Sequence, residues 1–318
     1  MDLYLLCCAS ENEGGGIYRY ELTENGNARL VGSYACDRPM YAVRKNERLC
    51  VLLRQPFEGT ESGYFEIDET LNASSVSQTT GTKGVCACHL AVDGEDVYVA
   101  NYLSGNLVKN GRTVQTHEGK GTHERRQEAP HTHFVGLSPD QKYVLCCDLG
   151  VDTIYVYDRA LRPISRCKVP DGYGVRHFVF SACGGYVYAI NELYPSVSTF
   201  AYADGRLTYL STTELPVKVE NSTAAAIRIS EDGKRLYCSV RGENALYVLS
   251  VDGEKTTLVQ KQDCGGKGPR DLWLTSDGRL VSCNENSNDA TVFAVKDGRI
   301  AKRQGKIENL QGVLCCLQ

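Results

Sequence analysis

The chain has 318 residues, a formal net charge of -4, and Lys and Arg scattered without basic runs. That balance argues against nucleic acid and membrane surfaces as partners. No apolar run approaches the roughly eighteen residues that a membrane helix needs, and no basic leader precedes the first strand-forming residues at Asp2-Leu3-Tyr4, so a soluble cytoplasmic protein is expected.

Fifteen cysteines form an odd count in a large chain without a secretory signal, which points to reduced thiols instead of a disulfide framework. Most fall inside strand-like segments, where Cys serves as a small buried hydrophobe. Cys86-x-Cys88-His89 lacks the usual zinc spacing and a second ligand pair. No metal or cofactor is expected.

Taken in order, the chain opens with three strand segments, LYLLCCAS, GGIYRYEL and ARLVGSYA. MYAVRKNERLCVLLR follows as two strands about a turn at Asn46-Glu47. The same pattern recurs in CHLAVDGEDVYVANY, HFVGLSPDQKYVLCCDLG, HFVFSACGGYVYAINE, AAIRISEDGKRLYCSVRG and DLWLTSDGRLVSCNEN. Their turns at Asp93, Asp140, Gly184, Asp232 and Asp277 lie 47, 44, 48 and 45 residues apart. A period of about 40 to 50 residues with four strands per unit is that of a β-propeller blade. The clearest unit runs from Gly172 to Leu207, where HFVF, YVYAINE, SVSTFAY and RLTYLS are separated by tight turns and form an antiparallel meander.

Six such units leave the three N-terminal segments and one last segment, GVLCCLQ, at Gly312 to Gln318. Joined, these make a seventh blade and remove the open sheet edge of a linear array. The expected fold is all-β, a single seven-bladed propeller over residues 1–318. Asn110 to Pro130 is polar and lacks a strand pattern, and reads either as a solvated loop or as a functional loop.

In each meander the start of strand one meets the end of strand two. One mouth of the channel therefore collects His89, His131, His133, Arg176, His177 and Arg270 from the strand-one starts. Arg54, Asn101, Tyr102, Asp148, Glu192, Arg241, Asn284 and Glu285 come from the strand-two ends. Several Arg beside His and carboxylates suit a small anionic ligand, with planar donors for phosphate or carboxylate and titratable groups for acid or base work. G-x-S-x-G, P-loop, H-E-x-x-H and dinucleotide fingerprints are all missing. Water or an internal proton transfer is the expected chemistry of an enzyme on this frame.

GYGVRHFVFSACGGYVYAINEL resembles the G-x-G-P-R-H…N-E-L block of the seven-bladed lactonases, a family that includes propeller-type 6-phosphogluconolactonases and carboxymuconate lactonizing enzymes. APHTHFVGLSPDQKYVLCCDLGVD, VANYLSGNL and KGPRDLWLTSDGRLVSCNENSNDATVF resemble its other blocks, from Gly16 to the C-terminus. Val175 stands where the family has Pro, and Ala225-Ala226-Ile227 where A-x-E-I is common. The resemblance implies catalytic positions at His133, Arg176, Glu192 and Arg270, with His131, His177, Asn101 and Arg241 as further rim residues and Arg126 from an R-Q pair. His89, Asp148 and Asn284 complete the expected substrate-binding set.

What the resemblance implies is hydrolysis of a sugar lactone, 6-phosphogluconolactone first; the expected partner is that small anionic substrate, and the expected assembly a monomer or weak homo-oligomer. In that scheme the Arg side chains hold phosphate and polarise the carbonyl, and either Glu192 or His133 activates water. Two alternatives stand beside it: a carboxymuconate-type lactone-forming or lactone-opening enzyme, and a non-catalytic propeller that binds a small anion or a protein partner.

Overall fold

A computed structural model describes residues 1–56 and 61–318. Seven four-stranded antiparallel sheets follow one another around a ring, and the only helical turns among the described residues are three short 3-10 segments. Blades are numbered here in chain order. The first is composite: Val313–Leu317 pairs with Asp2–Cys7, which is followed outward by Gly16–Leu22 and Ala28–Ala35. The ring is thereby closed through strands from opposite ends of the chain, as the segment pattern predicts.

The innermost strands of blades two to seven are Pro39–Lys45, Ala87–Asp93, Thr132–Leu137, Val175–Phe180, Thr223–Ile229 and Pro269–Leu274. Each touches the innermost strand of the next blade all the way round. Alternation along the strands turns one set of apolar side chains to each neighbouring blade, so the core is seven interblade layers and not one centre. Tyr4, Leu6, Leu49 and Val51 fill the layer between blades one and two. Tyr188, Ile190, Ile227 and Cys238 fill that between five and six. All fifteen cysteines are free, and twelve are buried, mostly in these layers.

The mouth opposite the strand-one starts carries ordinary turn chemistry. Ser138 donates to Asp140 at 2.6 Å and Thr275 to Asp277 at 2.6 Å, closing equivalent turns in two blades. Asn110 to Pro130 departs from expectation. Thr113–Thr116 within it is the outer strand of blade three, paired with Asn106–Lys109. Three of its four residues, Thr113, Val114 and Thr116, are β-branched, and edge pairing outweighs the polar surroundings that hide the pattern. The remainder is pinned by buried Gln127, whose Nε2 donates to Leu149 O at 2.8 Å and whose Oε1 accepts from the backbone of Thr122 and His123.

One irregularity repeats in every blade. Where strand one opens, the register slips against strand two, leaving one extra residue on the inner strand. In blade four Thr132 faces Asp148 and Phe134 faces Cys147, so His133 is the extra residue. Blade five skips Arg176 and blade seven skips Arg270 in the same way. Met40, Cys88 and Leu314 hold this position in blades two, three and one, and Ala225-Ala226 span it in blade six. A bulge re-aims its side chain and increases local twist. Here it turns one residue per blade toward the mouth.

Candidate active site

Two tiers of seven positions surround this mouth. The bulged residues form the inner one. The second is the residue that follows the strand-two partner paired immediately before each bulge: Cys8, Arg54, Tyr102, Leu149, Glu192, Arg241 and Glu285. A cavity of about 250 Å³ is lined from the first tier by Met40, Cys88, His133 and Arg270, and from the second by Arg54, Tyr102, Glu192 and Arg241. Cys86 and Arg126 complete the wall.

Glu192 is the organiser. Its Oε1 accepts from Arg126 Nη2 at 2.5 Å and pairs with Arg241 Nη2 at 3.1 Å, while Oε2 accepts from Arg176 Nε at 2.8 Å. Burial alone would raise the Glu192 carboxyl, but Arg241 and Arg176, with His133 and Arg126, override it and hold the group well below the usual carboxylate range. Arg176 is buried behind the wall and donates from Nη1 to Ala225 O at 2.6 Å and to His177 Nε2 at 3.0 Å. Burial pulls its value down to about 9 against the attraction of Glu192, so it remains cationic at neutral pH. Backbone geometry brings the pair together. Gly174, at φ 67°, lets the chain enter strand one, its carbonyl accepts from Glu192 N at 2.8 Å, and a Cβ there would lie 2.6 Å from Leu193 Cγ.

His133 is buried, and burial together with Arg176 pushes its imidazole well below the ordinary value, against a smaller pull from Glu192. It is therefore a neutral ring at physiological pH. Its Nδ1 is sealed and has no hydrogen-bond partner among the described residues, so the ring meets the cavity by its other edge. Among the described residues, Arg270 reaches the cavity with only one carboxylate contact, Glu285 Oε2 at 3.3 Å.

The wall is uneven in chemistry. Blades one to three supply mostly sulfur and apolar groups, with Met40, Cys88 and Leu314 packed as one small cluster beside Cys8 and Tyr102, and add one guanidinium, that of Arg54. Blades four to seven supply His133, Glu192, Arg241 and Arg270, and Arg126 comes from the segment between blades three and four. Among the described residues, four guanidinium groups face one lining carboxylate, so the cavity favours an anion.

The sequence matches the family described as lactonase, 7-bladed beta-propeller, over residues 3–316. The chain belongs to the seven-bladed β-propeller lactonase family. An uncharacterised protein of Staphylococcus aureus is 29% identical to this lactonase-family chain over 323 aligned positions, covering 94% of this chain and 92% of the relative. The structure of a periplasmic gluconolactonase from Pseudomonas aeruginosa matches with a TM-score of 0.88 at 25% identity, over 99% of this chain and 98% of that one. A proposed 6-phosphogluconolactonase from Bacteroides uniformis matches with a TM-score of 0.88 at 25% identity, over 99% of each chain.

Within this lactonase-family ring, His133, Glu192 and Arg270 gather at the cavity with Arg126 and Arg241, and Arg176 sits directly behind Glu192. Asn101, Asp148 and Asn284 do not line it. Each is the paired strand-two end, one residue before the second tier, and consecutive strand residues point to opposite sides. They are fully buried and bonded locally. Asn101 Nδ2 donates to Thr82 O at 3.1 Å, Asp148 Oδ1 accepts from His131 N at 2.7 Å, and Asn284 Nδ2 donates to Asp289 Oδ1 at 2.7 Å.

His89 and His177, one residue past the bulge, lie deeper in the channel against Phe134, at ring separations of 4.0 and 4.7 Å. His131 stacks on Tyr102 from outside the cavity wall. Arg54 and Tyr102 were legible as rim residues but not as cavity lining. The signal that finds them is their equivalence to Glu192 and Arg241 in the repeat. Among the described residues no helix is long and apolar enough to cross a membrane.

Proposed function

We propose that the protein hydrolyses a small anionic sugar lactone, with 6-phosphogluconolactone as the substrate. The observation that carries this reading is a cavity of about 250 Å³ in which Arg54, Arg126, Arg241 and Arg270 face, among the described residues, a single lining carboxylate that is already engaged by three guanidinium groups. Such a surface matches phosphate or carboxylate oxygens through bidentate donors. The similarity to a gluconolactonase supports the lactone, and the Arg cluster supports the added charge.

In the proposed reaction the anionic end of the substrate binds the Arg cluster, with Arg270 and Arg241 polarising the acyl carbonyl. Water adds to the acyl carbon as His133 takes its proton, and the ring C–O bond then breaks. Glu192 is a poor base, because both of its oxygens already accept from guanidinium groups. A neutral imidazole at the wall is the better acceptor. Glu192 instead fixes Arg126, Arg176 and Arg241. Residues of this chain suffice for the scheme, with no metal or cofactor. Fifteen free cysteines fit a reducing, cytoplasmic compartment, and we take the working unit to be a monomer or weak homo-oligomer.

A second reading has its own support. Met40, Cys86 and Cys88 give one side of the cavity few hydrogen-bonding groups, which suits a flat unsaturated lactone acid of the carboxymuconate type better than a sugar face. Initial rates on freshly generated 6-phosphogluconolactone, glucono-δ-lactone and a carboxymuconolactone, with spontaneous hydrolysis subtracted, separate the two. The expected order puts the phosphorylated lactone first. A preference for uncharged glucono-δ-lactone would overturn the anionic assignment, and no acceleration of any of the three would leave the propeller as a binding scaffold.

A further inference from the structure

Tyr102 occupies the same slot in blade three that Glu192 occupies in blade five, and it lines the cavity. Its phenol oxygen accepts from Arg126 Nη2 at 3.3 Å. A guanidinium has no lone pair to offer, so the phenol's own hydrogen is not used in that contact. The ring is held on two sides. It lies flat on His131, with centroids 4.3 Å apart and an interplanar angle of 8°, and it presents an edge to His133 at 5.7 Å. His131 is itself tied to the main chain of Tyr102, Nδ1 lying 3.0 Å from Tyr102 O. A clamped phenol whose proton has no acceptor among the described residues therefore faces the cavity beside the proposed base.

We propose that Tyr102 is a catalytic residue that protonates the leaving ring oxygen of the lactone. The role rests on the lactonase reading and goes beyond it. Water adds to the acyl carbon and gives its proton to His133. The ring C–O bond then breaks, its electron pair stays on the ring oxygen, and that oxygen takes the Tyr102 proton. An alkoxide is a stronger base than a tyrosinate, so the transfer runs downhill. Arg126 stabilises the tyrosinate that forms, and the His133 imidazolium returns a proton to it. The product acid loses its proton to bulk water, so the cycle consumes one water and nothing else. Burial, opposed by Arg126, raises the phenol above its ordinary value, so the donor is protonated throughout the physiological range.

A phenol that only packs against His131 and a phenol that donates a proton respond differently to the leaving group. The experiment measures kcat/KM of wild type and Tyr102→Phe on 6-phosphogluconolactone, whose leaving group is an alkyl alcohol, and on a carboxylated dihydrocoumarin, whose leaving group is a phenol. Tyr102→Phe is expected to lose on the order of 10²-fold on the alkyl lactone and less than about threefold on the aryl lactone, which needs little help to depart. Should the Phe variant not fold, Tyr102→His keeps a flat ring whose neutral N–H is a weaker acid than a phenol, and is expected to show the same split between the two lactones. Equal loss on both lactones, or no loss on either, overturns the role while the lactonase reading stands. Wild type inactive on both substrates overturns the lactonase reading and the role with it.

Discussion

His133 and Arg176 hold the same position in successive blades: each is the extra residue of the bulge that opens its innermost strand. Their side chains reach the same mouth because the backbone slip is repeated, and neither depends on the other's chemistry to be there. The ring thus offers seven slots whose direction is set by the backbone and whose content is free. Leu314, Met40 and Cys88 fill three of them with apolar or sulfur groups, and His133, Arg176 and Arg270 fill three with polar ones.

Glu192→Gln and His133→Asn separate anchoring from proton transfer. The first leaves three guanidinium groups around a neutral amide, and removal of one partner of a buried charge network costs about 3 to 5 kcal/mol. A fall of that size in the free energy of urea unfolding is expected, together with a raised KM. His133→Asn removes only a neutral ring with a free nitrogen. Its stability should change by less than about 1.5 kcal/mol while kcat falls on the order of 10² to 10⁴. Equal stability loss in the two variants would contradict the division of labour.

The fold was readable because its signal is a period. Turns at Asp93, Asp140, Gly184, Asp232 and Asp277 set the blades, and the leftover segment at residues 312–318 could be matched only to the incomplete N-terminal unit. Alternation also put Glu192, Arg241, Arg54 and Tyr102 at the right rim. What could not be read is the bulge, since a one-residue slip leaves no mark in composition. Without it the strand-two ends are ambiguous by one position, and Asn101, Asp148 and Asn284 read as substrate-binding residues although none of them lines the cavity. The engagement of Glu192 by Arg126 spans 66 residues along the chain, and no local pattern encodes it.

Three buried imidazoles give the fold an acid-sensitive point. His89, His133 and His177 are each pushed well below the ordinary value, by burial first and then by Arg228 or Arg176. A folded value below the unfolded one, about 6.5, means that their contribution is complete above pH 6.5. It is lost as the unfolded chain takes up protons that the native state refuses. Stability should therefore fall between about pH 6.5 and 5 with a slope of up to about 4 kcal/mol per pH unit, from three protons. Glu192, held low by its Arg partners after burial is overcome, adds its loss only below about pH 4.5. Urea midpoints at pH 7.5, 6.5 and 5.5 measure the slope. His89→Phe should remove about one third of it, and a flat profile would mean that the imidazoles are solvated in the native state.

Arg270→Lys tests whether the Arg cluster recognises planar oxyanions or only charge. Arg270 has a single contact to Glu285 and is partly open to the cavity, so the change should leave stability within about 0.5 kcal/mol. A lysine cannot reproduce a two-pronged donor. KM for the phosphorylated lactone is expected to rise about tenfold or more, with little change for an uncharged lactone. An equal change for both would argue that Arg270 does not bind the anion.

Closure by Val313–Leu317 makes the two chain ends interdependent. This strand pairs along Asp2–Cys7, and its five residues are all buried, with Cys315 and Leu317 in the layer toward blade two and Val313 and Cys316 in the layer toward blade seven. Burial of apolar side chains contributes about 1.5 to 3 kcal/mol each, so the five together approach the 5 to 15 kcal/mol by which a typical domain is stable. Their removal would also leave Asp2–Cys7 as an unpaired inner edge facing the channel. A chain ending at residue 311 should therefore aggregate or melt far below the full-length protein. A synthetic peptide of residues 312–318 added during refolding should restore a soluble monomer, because the vacated edge and both apolar layers are complementary to it. If the shortened chain melts within a few degrees of full length without the peptide, blade one does not depend on its borrowed strand.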